Sequence, residues 1–321
     1  MNDMFRALLR PRFQAPYRAT KHYERVLGTS MELAVVADDP PTAERAEERA
    51  WATIERLERT FSVYRPDSEL NRWQASHDED RTVSRDLAEV LHAAERWRVA
   101  FDGAFLPTVE SFTRAWRARE QGEAALGFES LHPAQPLWVV DLESCVARRL
   151  TRHPASLNAL AKGYVLDRAA EAAHAEPGVR QVMLNLGGDL RHVGDGRASV
   201  AIADPSHPAD NAPPLETIFV SGRGVATSGG YRRGFRVEGR WHSHLLDPAD
   251  GRPVAHVASV TVVAPNAMDA DAMATALSVL GPVRGERLMA SCPEAASLIV
   301  LSDSTPVASP AWRRLQTASA S

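Results

Sequence analysis

Asp271 and Thr275 stand four residues apart in the run Ala270 to Leu280, which is otherwise built of Ala, Met, Leu, Val and Ser. Residues at that spacing share one face of a helix, so a carboxylate and a hydroxyl project together from an apolar element. Two hard oxygen donors suit Mg2+, which keeps several waters and shares phosphate oxygens with a substrate. A phosphate-bearing ligand follows from that choice. The same pair also reads as a first-turn acid beside a hydroxyl bonded back to the preceding turn, and the two residues alone leave both readings open.

Lys162 lies near the start of a predicted helix, beside Gly163, where the helix dipole does not favour a cation. Contact with an anion accounts for that placement, and so does a surface lysine lying along its own stem. His242-Ser243-His244 could place two histidines on one face of a strand, but no third ligand stands at zinc spacing. A single histidine acting as a base fits better, because imidazole titrates near neutral pH. Gly187-Gly188-Asp189 follows a predicted strand. Paired glycines permit close backbone approach to a ligand, and they equally permit a plain turn. The chain has neither a GxxxxGKS/T loop nor a strand-linked GxGxxG, so a metal and a lysine would have to hold any phosphate.

Those residues need elements to position them. The periodicity predicts strands at 31–37, 181–186, 199–203, 217–221, 235–237, 257–263 and 295–301, with a hairpin over 138–142 and 145–150. Helices are expected over 41–64, 85–100, 159–175 and 269–280, and a solvated helix and loop between Arg114 and Pro136. Antiparallel strands outnumber βαβ units in that order, so an α+β fold is expected, mainly antiparallel sheets flanked by helices in a single compact domain. Residues 27–301 form that domain in this reading, with tails at 1–26 and 302–321.

Composition removes several classes of function. The 321 residues are 44% hydrophobic and 24% charged, as in an ordinary globular protein. A net charge of -4 offers no basic surface for nucleic acid. Cys145 and Cys292 are the only cysteines; they suggest neither a disulfide framework nor a zinc ribbon and are expected to be small core residues. The apolar run Ala7 to Leu9 is too short for a signal peptide, and no window approaches a membrane span. A cytoplasmic location is expected on that basis.

Eight segments in order carry a resemblance: VLGTSMEL, TFSVYRPDSELNRW, GAFLPTVESFTRAW, SLNALAKGYVLDRAAE, VMLNLGGDLRHVG, VATSGGYRRGF, HSHLLDPADGRPV and SVTVVAPNAMDADAMATALSVLG. Together they resemble the ApbE family of FAD:protein FMN transferases over most of residues 27–301. The most specific are ALAKGY, LNLGGDLR, HxLDPxxGRP and the Asp-x-x-x-Thr helix. The resemblance implies an enzyme that binds FAD with Mg2+, cleaves the pyrophosphate and transfers FMN to a threonine hydroxyl of a target flavoprotein, releasing AMP. An FAD pyrophosphatase giving FMN and AMP, or a non-catalytic FAD-binding protein, is the alternative.

By the same resemblance, Asp271 and Thr275 match metal-ligand side chains, and Ala159 matches a position that contributes its backbone carbonyl. His244 matches a histidine near the flavin phosphates and is the expected proton acceptor, with the backbone around Leu245 lining the flavin. Tyr64 matches an aromatic that packs on the cofactor, Leu27 stands where a methionine is usual, and Lys162 matches a site residue. Phe105, Leu106 and Pro107 match a segment usually reading Phe-Asp-Pro. Two departures stand out: Leu106 replaces an aspartate, and Ser156 replaces the aspartate of a DLGxxAKG run that hydrogen-bonds the cofactor.

Overall fold

The structure, a computed structural model, describes residues 15–123, 136–209, 211–231 and 233–317. Its N-terminal half runs β1 (Tyr17–Val26), β2 (Thr29–Ala37), α1 (Pro40–Phe61), α2 (Glu69–Gln74), β3 (Asp80–Thr82), α3 (Arg85–Ala100), α4 (Glu110–Glu120), β4 (Trp138–Asp141) and β5 (Val146–Arg149). The second half runs α5 (Asn158–His174), β6 (Val179–Leu186), β7 (Asp189–Gly194), β8 (Ala198–Ile202), β9 (Glu216–Val220), β10 (Gly224–Gly229), β11 (Gly234–Val237) and β12 (Arg240–Ser243). It ends in β13 (Val257–Ala264), α6 (Ala267–Ala290), β14 (Ala296–Leu301), β15 (Pro306–Ala308) and α7 (Pro310–Thr317).

Eight strands form one sheet in the order β1-β2-β6-β7-β10-β13-β14-β15, each neighbouring pair antiparallel. Helices α1, α5 and α6 cover one face. The β8–β9 hairpin and α7 cover part of the other, where Ile218, Leu298 and Val300 enclose the fully buried Trp312. A strand covered on both sides must be apolar at successive positions. That is why β13 reads as a continuous run, with Val260 and Val262 in the larger core and Val263 in the smaller. A separate three-stranded sheet, β3-β5-β4, packs with α2 through the edge-on pair Trp73 and Trp138, and with α3 through the Trp138 indole, which donates to the Leu91 carbonyl.

The antiparallel α+β architecture agrees with the expectation from sequence. The termini differ from it. Tyr17–Val26 is not a tail but the edge strand β1, paired with β2 from Tyr17↔Ala37 to Val26↔Thr29. Residues 306–317 add β15 and α7, and Trp312 donates from its indole nitrogen to Glu216 at 2.6 Å. Expected features in residues 1–14, 124–135 and 318–321 lie outside the described residues. Cys145 and Cys292 are free and partly buried against the core. Among the described residues no helix is long and apolar enough to cross a membrane.

Candidate active site

Helices α5 and α6 cross at a glycine. A Cβ on Gly163 would stand 2.4 Å from the Ala267 carbonyl oxygen and 2.6 Å from the Met268 Cα, so only glycine allows this approach. The buried Asp167 of α5 then caps α6, accepting from the backbone N–H groups of Ala267 and Met268 at 2.8 and 2.9 Å. Arg191 of β7 approaches the same carboxylate at 3.2 Å. Burial still pushes the Asp167 carboxyl up to about 6 against those bonds. On the outer side of the same turn, Asp269 accepts from Arg96 and from the Trp97 indole at 2.7 and 2.9 Å. The N-terminus of α6 is thereby fixed in both directions.

One turn further along α6 is Asp271, 6% exposed, whose Oδ2 is buried and, among the described residues, has no hydrogen-bond partner. Thr275 follows one turn later, its hydroxyl 3.3 Å from that of Ser228 on β10. Lys162 of α5 brings its Nζ to 2.5 Å from Asp189 Oδ2, at the start of β7. Asp189 is 1% exposed, and its Oδ1 accepts from the Thr227 N–H at 3.2 Å. It follows Gly187 and Gly188, both at positive φ (61° and 96°), which turn the chain from β6 into β7.

Two buried carboxylates therefore lie in the field of one ammonium, which pairs with Asp189. Burial, and then the Asp189 charge, push the Asp271 carboxyl up to about 8, with Lys162 opposing. Burial likewise raises Asp189 against the pull of Lys162. For Lys162 burial works downward, but Asp189 and Asp271 together raise it. A carboxylate oxygen left orphaned in such a place is what a hard divalent cation would satisfy. Ala159 fits the same set: its φ of -84° and ψ of 15° leave the helical region inside α5, turning its carbonyl off the helical line. Among the described residues no three His, Cys, Asp or Glu side chains gather as a metal cluster. The oxygen donors that share one face of α6 here are instead a carboxylate and a hydroxyl, Asp271 and Thr275.

His244 follows β12. Its Nδ1 lies 3.0 Å from the Arg233 carbonyl oxygen, which can only accept, so Nδ1 carries the proton and a neutral ring leaves Nε2 with a free lone pair. Burial, together with the Arg233 and Lys162 charges, holds its pKa below the usual imidazole value, although the Arg233 carbonyl opposes this. His242 does not join it as a metal pair; its ring packs 5.0 Å from that of Trp116. The half-buried Leu245 accepts from the Val254 N–H through its carbonyl at 2.8 Å.

The remaining expected residues divide into two groups. Leu27 and Tyr64 are presented to solvent, at 37% and 88% exposure. Leu27 occupies the tip of the β1–β2 hairpin at φ 50°, and that hairpin abuts the Gly187 turn, whose N–H donates to Ser30. Tyr64 follows α1, whose Phe61 meets Tyr164 edge-on two residues past Lys162. Phe105, Leu106 and Pro107 are buried, and the half-buried Ser156 donates its backbone N–H to Pro107 at 2.6 Å. Sequence reasoning missed Asp189 as a partner of Lys162, Ser228 beside Thr275, and Asp167 as the cap of α6. All three stand inside the quoted segments LNLGGDLR, VATSGGYRRGF and SLNALAKGYVLDRAAE.

The chain belongs to the ApbE family, whose profile matches residues 27–299. It is similar to the FAD:protein FMN transferase of Escherichia coli K12, with 27% identity over 282 residues, 83% of this chain and 79% of that protein. Identity is 31% over 244 residues with the Vibrio cholerae FAD:protein FMN transferase, covering 72% of each. The fold matches the ApbE protein of Thermotoga maritima with a TM-score of 0.77 at 24% identity, over 94% of this chain and 99% of that one. The Pseudomonas stutzeri flavinyl transferase ApbE aligns with a TM-score of 0.76 at 24% identity, over 95% and 98% of the two chains.

Proposed function

We propose that this chain is a Mg2+-dependent transferase that moves FMN from FAD to a threonine hydroxyl of a target flavoprotein and releases AMP. One observation carries the reading: the buried Oδ2 of Asp271, without a partner among the described residues, one helical turn from Thr275 and within the field of Lys162. The flavin half of the proposal is supported by the names of the relatives in Escherichia coli and Vibrio cholerae.

Asp271, Thr275 and the Ala159 carbonyl would hold the Mg2+, which neutralises charge on the pyrophosphate. Lys162 supplies a compact ammonium with three donors for the phosphate oxygens. The acceptor hydroxyl oxygen bonds to the phosphorus of the FMN half while the bond to the bridging oxygen breaks, and AMP leaves with that electron pair. The hydroxyl proton passes to the free Nε2 of His244, whose tautomer is set by the Arg233 carbonyl. Leu27 and Tyr64, both exposed, offer an apolar side chain and an aromatic face to the flavin.

The test incubates the protein with FAD, Mg2+ and a threonine-bearing acceptor domain. The expected product is a fluorescent acceptor heavier by one FMN moiety, absent with Asp271→Ala. Free FMN and AMP without any labelled acceptor would instead make the protein a pyrophosphatase, and tight FAD binding without turnover would make it a carrier.

A further inference from the structure

Lys162 has two buried carboxylates within electrostatic reach and pairs with one. Its Nζ forms an ion pair with Asp189 Oδ2 at 2.5 Å, whereas among the described residues Asp271 Oδ2 has neither an ion-pair nor a hydrogen-bond partner. Asp189 is well placed to keep it. The carboxylate is 1% exposed, its other oxygen is tied to the Thr227 N–H, and the chain enters it from the Gly187-Gly188 turn, whose Gly187 N–H donates to the Ser30 carbonyl. The composition adds weight to the choice of cation. Of the 37 Lys and Arg residues, only Lys21 and Lys162 are lysines, so an amine stands here in a chain that uses guanidinium almost everywhere else. An ammonium is a compact point charge that can turn from one oxygen to another, which a planar guanidinium fork does poorly.

We propose that Asp189 is a positioning residue that holds the Lys162 ammonium off Asp271, leaving the Asp271 Oδ2 open to a divalent cation. Without that carboxylate, the half-buried Lys162 ammonium takes the remaining anion, Asp271, and becomes the occupant that an incoming cation must displace. With it, the ammonium stays beside the site, available to phosphate oxygens, and does not consume the ligand. The proposal rests on the reading of Asp271 and Thr275 as a cation site.

The experiment measures Mn2+ binding to the FAD-free protein by the electron paramagnetic resonance signal of free Mn2+. The unmutated protein binds Mn2+, and Asp189→Asn weakens binding at least tenfold, because Lys162 moves onto Asp271. Adding Lys162→Met to that variant restores affinity to within threefold of the unmutated protein, a rescue that a purely architectural role for Asp189 would not give. Asp189→Asn binding as tightly as the unmutated protein, or a double variant no tighter than the single one, overturns the proposal. If the unmutated protein binds no Mn2+, the cation site itself is refuted. Should Asp189→Asn fail to fold, nuclear magnetic resonance of the lysine-labelled unmutated protein decides, since only two side chains contribute signals. The hydrogen-bond coupling between Lys162 Nζ and the Asp189 carboxylate is expected before and after Mg2+ addition. Its absence in the metal-free protein overturns the proposal.

Discussion

The backbone N–H of Ser156 donates to the Pro107 carbonyl at 2.6 Å, which joins the segments that carry Ser156 and Leu106. The two residues are unequally placed. Leu106 is 5% exposed and belongs to the main core, whereas Ser156 is only half-buried. Ser156→Asp is therefore expected to raise FAD affinity by about tenfold, the value of a restored charged hydrogen bond of about 1.5 kcal/mol. Leu106→Asp should instead lower the unfolding temperature, because it buries an unpaired charge. Titration calorimetry and thermal unfolding check both, and unchanged FAD affinity in Ser156→Asp would place that residue off the cofactor.

Asp271→Asn should lower divalent-cation affinity by about a hundredfold or more and abolish transfer, while the fold survives because the substitution is isosteric. Thr275→Ser should retain most of the affinity and Thr275→Val lose it, since only the hydroxyl is at stake. Mn2+ binding paired with an unfolding curve separates loss of the ligand from loss of the fold.

His244→Ala is expected to reduce kcat by about 100- to 10,000-fold with little change in FAD binding, as for removal of a general base. The pH profile follows from the sign of the shift. Burial lowers the His244 pKa from 6.5, so the acid limb of kcat/KM should be centred below that value. An acid limb centred above pH 6.5 would remove His244 from the role.

Gly163→Ala puts a methyl group into the Ala267 carbonyl. The helices must separate or distort, at about 1 to 3 kcal/mol. Because Lys162 and Asp271 belong to the two helices that cross there, cation affinity should fall together with the unfolding temperature. A stable variant with full affinity would show that the crossing does not set the site.

Leu27 is expected to trade stability for binding. A leucine at φ 50° costs about 1 kcal/mol relative to residues that tolerate the left-handed region. Leu27→Asn should raise the unfolding temperature and weaken FAD binding. Backbone strain at an exposed residue commonly marks a functional constraint, and an unchanged FAD affinity would deny one here.

Long periodic elements are legible in this chain. The spacing predicts a helix over Arg85–Ala100, which stands with those bounds. The helix expected to end at Leu280 meets its break at Gly281, φ 65°, followed by Pro282. Strand β1 escapes because an edge strand can be polar and charged along its length, as YRATKHYERV is, and so looks like a tail. Strands β7 and β10 escape for another reason: they carry Asp189 and Ser228, which reach Lys162 and Thr275, and Thr227, whose hydroxyl meets Thr261, polar groups that break the alternation of a strand. Asp271, Thr275 and Lys162 are readable from local spacing on helices. The Lys162–Asp189 pair is not, because it joins a helix to a strand across a turn that looks, by residue type, like any glycine turn.

The site draws Lys162 from α5, Asp189 from β7, Ser228 from β10 and Asp271 with Thr275 from α6. During synthesis the aspartate that completes it leaves the ribosome after more than four-fifths of the chain. Helix α6 can dock only after Gly163 and Asp167 are in place to receive it. A partly made chain therefore lacks the full donor set, and FAD in the surrounding solution meets no competent site until the sheet between β7 and β13 has closed.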